Sequence, residues 1–275
     1  MQLNTILSEI EKIDPEVYDR LDTRRNSMKQ FTKIGGRVAL TALPLMLGGM
    51  FKKAYGGTSA MPTIVEVLNF ALTLEYLEAG FYNMGISSGP IPNSALAGFT
   101  EIRDHENEHV AFLASTITSL GGTPVSGLQF DFTAGGAFAD VFSYYDTFLA
   151  VSQTFEDTGV RAYKGQAGNL QSSNGVLTAA LQIHSVEARH ASHVRQLRSL
   201  KYMDESIRPW ITGDSTSGIG SAVQASYAGE GNCIQLGIEI QNINGFDISF
   251  DDATEAFDEP LTMDAVLAIV DPFII

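Results

Sequence analysis

The sequence predicts an all-α protein: a four-helix bundle with a long crossover, preceded by an N-terminal arm and followed by a mixed C-terminal extension. Three observations predict it. Acidic and histidine positions recur at a fixed offset, apolar residues around them step by three and four, and Pro- and Gly-rich stretches fall where helices would have to end.

The repeat is the strongest of the three. Glu75 precedes Glu106 by 31 positions and Glu156 precedes Glu187 by the same 31. Each later Glu opens a Glu-x-x-His, Glu106 with His109 and Glu187 with His190, so three positions recur 81 residues on, as does Tyr82 in Tyr163. A duplicated helical hairpin accounts for this spacing, each half supplying one helix with a lone Glu and one with a Glu-x-x-His.

Taken from the N-terminus, residues 1–60 read as an arm carrying an address. Paired Arg24-Arg25, Lys29 and the apolar run 38–50, flanked by Arg37 and Lys52-Lys53, resemble a twin-arginine export signal, with Ser27 where Phe is usual. Thr58-Ser59-Ala60 offers small residues for cleavage, and the run is too short to span a bilayer comfortably. A buried core helix behind a solvated arm is the alternative. The expected location is periplasmic or exported, with membrane association through this segment.

The bundle is expected over 61–203. Its first helix presents Ile64, Leu68, Ala71, Glu75, Glu78 and Tyr82, and its second Phe99, Ile102, Glu106, His109, Leu113, Thr116 and Leu120. The third presents Tyr145, Phe148, Ser152, Glu156, Gly159 and Tyr163, and the fourth Leu177, Leu181, Glu187, His190, Val194 and Leu197. Pro90 and Pro92 separate the first pair, 168–175 turns between the second pair, and 121–136 suits the crossover. In the extension, 204–275, the alternation Ile234, Leu236, Ile238, Ile240 reads as a short strand within a lid, a small hairpin or a partner surface. A helical pattern over 263–270 is expected to pack back on the bundle.

Composition limits the chemistry. A net charge of -15, from 32 acidic against 17 basic residues, disfavours nucleic acid and anionic membranes. The single Cys233 rules out a disulfide framework and a zinc ribbon or rubredoxin site, which needs about four thiolates. Any metal must therefore use oxygen and nitrogen donors.

Four carboxylates converging in a bundle core would each cost several kcal/mol, on the order of a buried ion's penalty, unless compensated. Two divalent cations compensate them, and a Glu and a His at i and i+3 share one helical face. One Glu from each of two helices and a Glu-x-x-His from each of the others is the ligand pattern of dinuclear iron and manganese centres in bundles. The candidate ligands are thus Glu75, Glu106, His109, Glu156, Glu187 and His190, with Glu106 and Glu187 bridging by analogy. Oxygen and imidazole donors suit two iron ions, with manganese or a mixed pair as alternatives.

The segment 68–79, LNFALTLEYLEA, resembles the opening helix of the bacterial ferritin-like and plant desiccation-related protein family. His109-Val110-Ala111-Phe112-Leu113, the run 156–163, Glu187-Ala188-Arg189-His190 and the run 256–263 are similar to its later parts. The resemblance covers about 62–201 and 253–274, and it implies a ferritin-like bundle with a metal site but no particular reaction. Oxygen- or peroxide-linked redox chemistry or iron oxidation is one expectation, needing an external electron donor. The others are metal storage, which needs a multi-subunit shell, and a stress- or envelope-associated structural protein whose metal only holds the bundle. A homo-oligomer or an envelope protein partner is compatible with each.

Glu78 sits one turn after Glu75 opposite Gly159 in the repeat, and is expected to support the ligands rather than join them. Tyr82 and Tyr163 could donate to the ligands or relay electrons but are expected as core packing. His105, His184 and His193 lie near the ligand motifs as alternative ligands or, the expected reading, surface residues, and Asp104 or Arg189 could orient the histidines.

Overall fold

The computed structural model describes residues 62–275. The arginine pair, the apolar run and the small-residue stretch at 58–60 lie outside the described residues. Helix α1, Ile64–Ser88, begins at a capping box: the Thr63 hydroxyl accepts from the Glu66 backbone N–H, and the Glu66 carboxylate accepts from that of Thr63. It ends at Gly89, whose φ of 81° suits a residue without a side chain. Pro90 and Pro92 follow, and α2 runs Asn93–Ser119. Helix α3 spans Tyr145–Gln166, a short 3-10 turn covers Ala167–Leu170, and α4 runs Asn174–Tyr202. The helices pair chiefly as α1 with α2 and α3 with α4, two hairpins joined by the connection at 120–144.

Two apolar clusters fill the bundle. One surrounds Phe81, Phe99 and Phe148, with the Phe81 and Phe148 rings stacked at 4.9 Å. The other contains Leu68, Leu72, Leu113 and Ile117. Two details of the expected faces are corrected. Leu181 is 47% exposed, because the six-residue step to Glu187 turns it about 120° off the inward face, and Ala180 and Ile183 take its place. Leu120 lies just past the end of α2 and is also exposed, leaving Ile117 as the last inward residue.

Helix α3 is buried on nearly every side, because residues from 204–275 cover the face turned away from α1 and α2. Buried arginines tie that cover down. Arg195 donates to both oxygens of Asp157 at 2.7 to 3.1 Å, and Tyr227 donates to the same carboxylate at 2.8 Å. Arg161 donates to the backbone carbonyls of Ser226, Ala228 and Glu259 and lies 2.6 Å from Glu230. The expected strand is a hairpin, β1 (Ile234–Gln235) against β2 (Ile238–Glu239). Leu236 and Gly237 both take positive φ, 56° and 79°, and this tight turn interrupts the alternating run. Helix α5, Phe250–Thr254, leads to α6, Met263–Val270, capped by Thr262. Val266, Val270 and Phe273 join the core of Phe81, Phe148 and Phe155. Among the described residues, no helix is long and apolar enough to cross a membrane.

Candidate metal centre

Midway along the bundle the apolar filling gives way to carboxylates. Glu75 on α1, Glu106 on α2, Glu156 on α3 and Glu187 on α4 show no exposed surface, and Glu78 on α1 is 3% exposed. Each lies on the face that its helix buries, which is why the three- and four-residue steps carry them inward together. His109 and His190 reach the cluster from one turn beyond Glu106 and Glu187.

The two imidazoles present the same atom. His109 Nδ1 lies 3.1 Å from Glu75 Oε2, 3.1 Å from Glu106 Oε2 and 3.3 Å from Glu187 Oε1. His190 Nδ1 lies 2.8 Å from Glu106 Oε1 and 3.4 Å from Glu156 Oε2. Two groups of donor atoms result, each gathered within 4.8 Å: Glu75, Glu106, His109 and Glu187 in one, Glu106, Glu156, Glu187 and His190 in the other. Glu106 and Glu187 belong to both.

Electrostatics in the metal-free protein follow from this crowding. Burial pushes the Glu75 carboxyl up to about 8 against the hydrogen bond from His109. Burial and the neighbouring carboxylates hold Glu78 and Glu187 well above the usual range. Burial opposes ionisation of Glu106 too, but the hydrogen bond from His109 and the close approach of the His190 imidazole outweigh it and bring the group to about 2. Burial disfavours imidazolium, yet the surrounding carboxylates raise His109 to about 12 and His190 to about 11. Protonated histidines thus offset part of the negative charge when no cation is bound.

Several buried donors and acceptors are left over. Among the described residues, Glu106 Oε1, Glu156 Oε2, both oxygens of Glu187 and His190 Nδ1 make no well-directed hydrogen bond, although His190 Nδ1 and Glu106 Oε1 lie only 2.8 Å apart. Orphaned buried oxygens are costly, and they are concentrated where the two donor groups overlap. An all-oxygen-and-nitrogen set of this kind fits divalent iron or manganese, so the residues present suit a carboxylate metal site.

The surroundings differ from expectation at several residues. Tyr163 donates to Glu75 Oε1 and Tyr82 donates to Glu156 Oε1, each tyrosine reaching the carboxylate of the other half. They do more than pack. His105, expected at the surface, is half-buried and stacks on His190, with His105 Nδ1 3.0 Å from His190 Nε2. His184 and His193 are half-buried as well, His193 lying edge-on to Phe99. Asp104 is exposed and bonded to Arg103, and Arg189 is exposed, so neither is the buried partner that orients His190. A side chain at Gly159 would come within 3.2 Å of Glu78 Oε1 and 3.4 Å of Glu187 Oε2, which explains a glycine at the repeat position of Glu78. The repeat itself signalled Tyr82 and Tyr163. For His105 the sequence signalled only its place next to Glu106, not its contact with His190.

A family model described as a ferritin-like domain matches residues 63–200. Comparison with curated proteins found no match.

Proposed function

Because the chain belongs to the ferritin-like domain family, we propose that its buried cluster is a carboxylate-bridged dinuclear metal centre, with iron in both positions, serving oxygen- or peroxide-linked redox chemistry or iron oxidation. The observation that carries this reading is that two candidate donor groups share Glu106 and Glu187 and differ in their remaining members. Glu106 and Glu187, common to both groups, would be shared between the two metals. Glu75 and His109 would hold one of them, and Glu156 and His190 the other. Manganese, or one ion of each metal, would use the same donors.

Iron, when bound, supplies the electron exchange with oxygen or peroxide that these side chains lack. The chain's own residues provide order and an apolar setting. Tyr163 and Tyr82 fix the orientations of Glu75 and Glu156, and His105 steadies the His190 ring at Nε2 so that Nδ1 faces the carboxylates. The apolar clusters on either side set the carboxylates in largely hydrocarbon surroundings. Cys233 cannot by itself form a rubredoxin-type site, so reducing electrons come from an external donor. Arg24-Arg25 ahead of the apolar run supports delivery to the periplasm.

The test is the metal content of anaerobically purified protein beside a Glu106→Ala, Glu187→Ala double variant, followed by exposure of the ferrous form to oxygen and to peroxide. Two metals per chain, lost in the variant, with rapid oxidation of the wild type are expected. Metal that stays bound but unreactive would instead assign it a structural role, and a folded wild type without metal would sink the centre altogether.

A further inference from the structure

A cavity of about 290 Å³ lies in the bundle next to the ligand cluster, roughly twice the size of an engineered apolar cavity that holds benzene. Its inner wall is one helical turn from the ligands. Ala71 precedes Glu75 by four residues and Leu113 follows His109 by four, about 6 Å along each helix axis. Tyr163 closes the inner end, and its hydroxyl is the one bonded to Glu75. The outer rim includes Phe112 and Leu120, 44% and 47% exposed, so the space runs from the surface to the edge of the cluster.

Protein interiors are packed to crystal-like density, and a void of this size is kept open by small side chains, here Ala71, Ala179 and Ala180 among others. Among the described residues, no charged one lines it. The polar residues in its wall are Thr116, Ser119, Ser173, Gln166 and Tyr163, whose hydroxyl is already bonded to Glu75. Such a pocket can take a hydrocarbon body and a neutral polar end, and it offers no counter-ion to a charged one.

We infer that this cavity binds a neutral aliphatic chain, its polar end among the rim hydroxyls and its tail against Tyr163, which holds an aliphatic molecule beside the neighbouring centre without coordinating it. Its relation to that centre rests on the dinuclear reading, whereas the binding itself does not. The closed inner end and the small volume favour one free chain over a bilayer, whose lipids would have to present their tails singly.

Calorimetric titration of the full chain with n-alkanols from butanol to decanol tests it. Affinity is expected to rise roughly fourfold for each added methylene until the tail meets Tyr163, and then to level off. Ala71→Phe and Ala180→Phe, which place a ring in the cavity, should each weaken decanol at least tenfold with the helical circular dichroism unchanged. The second variant stands in if the first does not fold. Absence of saturable decanol binding to the wild type, equal affinity in the filled variants, or sedimentation with phosphatidylcholine vesicles without binding of free decanol would each overturn the inference. Metal content measured on the same samples is scored separately. Decanol binding by metal-free wild type would support the cavity while the dinuclear reading fails, and metal-loaded protein that ignores decanol would do the reverse.

Discussion

Removing four glutamates from water in one bundle centre is tolerable only if other groups share the charge, and in the metal-free protein the histidines and retained protons do so. This has a pH consequence. A metal takes the ionised carboxylate, and Glu75 holds its proton below about 8 while His109 holds its own to about 12. Metal uptake therefore releases protons, and apparent affinity climbs from roughly pH 6 toward pH 8. Proton release measured in weakly buffered solution on adding ferrous or manganous ion checks this, and uptake indifferent to pH would contradict it. Tyr163→Phe and Tyr82→Phe each remove one hydroxyl that orients a carboxylate. Metal affinity should fall on the order of tenfold in each, the usual effect of losing such a partner. A competition titration with a chelator reads it, and unchanged affinity in both would mean that the hydroxyls merely fill space. The convergence of Glu75, Glu106, His109, Glu156, Glu187 and His190 was legible because a repeat and a helical period are properties of one strand of sequence. The contact of His105 with His190 was not, since it joins different helices.

Helices α1, α5 and α6 start at side-chain caps from Thr63, Ser249 and Thr262, and the cover brings anchors that only packing creates. Thr63→Ala removes the oxygen that accepts from the Glu66 N–H at the head of α1 and should cost about 1 kcal/mol, read as a lower denaturation midpoint with the slope unchanged. Asp157→Ala is a different kind of loss. It strands the Arg195 guanidinium, 1% exposed, without its carboxylate, and should cost about 3–5 kcal/mol. Limited proteolysis should then cut first within 204–275, where Tyr227 loses the same partner. Cutting confined to the bundle would show that the pair does not hold the cover. Helix α6 was legible as the helical pattern over 263–270 that stops before Asp271-Pro272, and the structure adds the Thr262 hydroxyl as its cap. The hairpin at 234–239 was legible only as alternation, since the break depends on the positive φ that Leu236 and Gly237 adopt.

For the whole molecule, the metal and the fold should support each other. A ligand that binds only the folded chain, present at 100 times its dissociation constant, adds about 2.7 kcal/mol of stability. Scanning calorimetry of metal-loaded and chelated protein should show the loaded form melting higher, with the difference abolished in the Glu106→Ala, Glu187→Ala double variant. Equal melting of loaded and chelated wild type would detach the site from the fold. The sequence by itself determined the bundle, its two hairpins and the inward lines of carboxylate and histidine, because periodicity and duplication are local and repeat along the chain. Tertiary structure alone decided how the halves exchange tyrosines, that His105 backs His190, and that 204–275 encloses α3. It also decided that a cavity remains beside the ligands. Those features depend on the distances and rotations between helices, which many side chains set jointly and no single segment encodes.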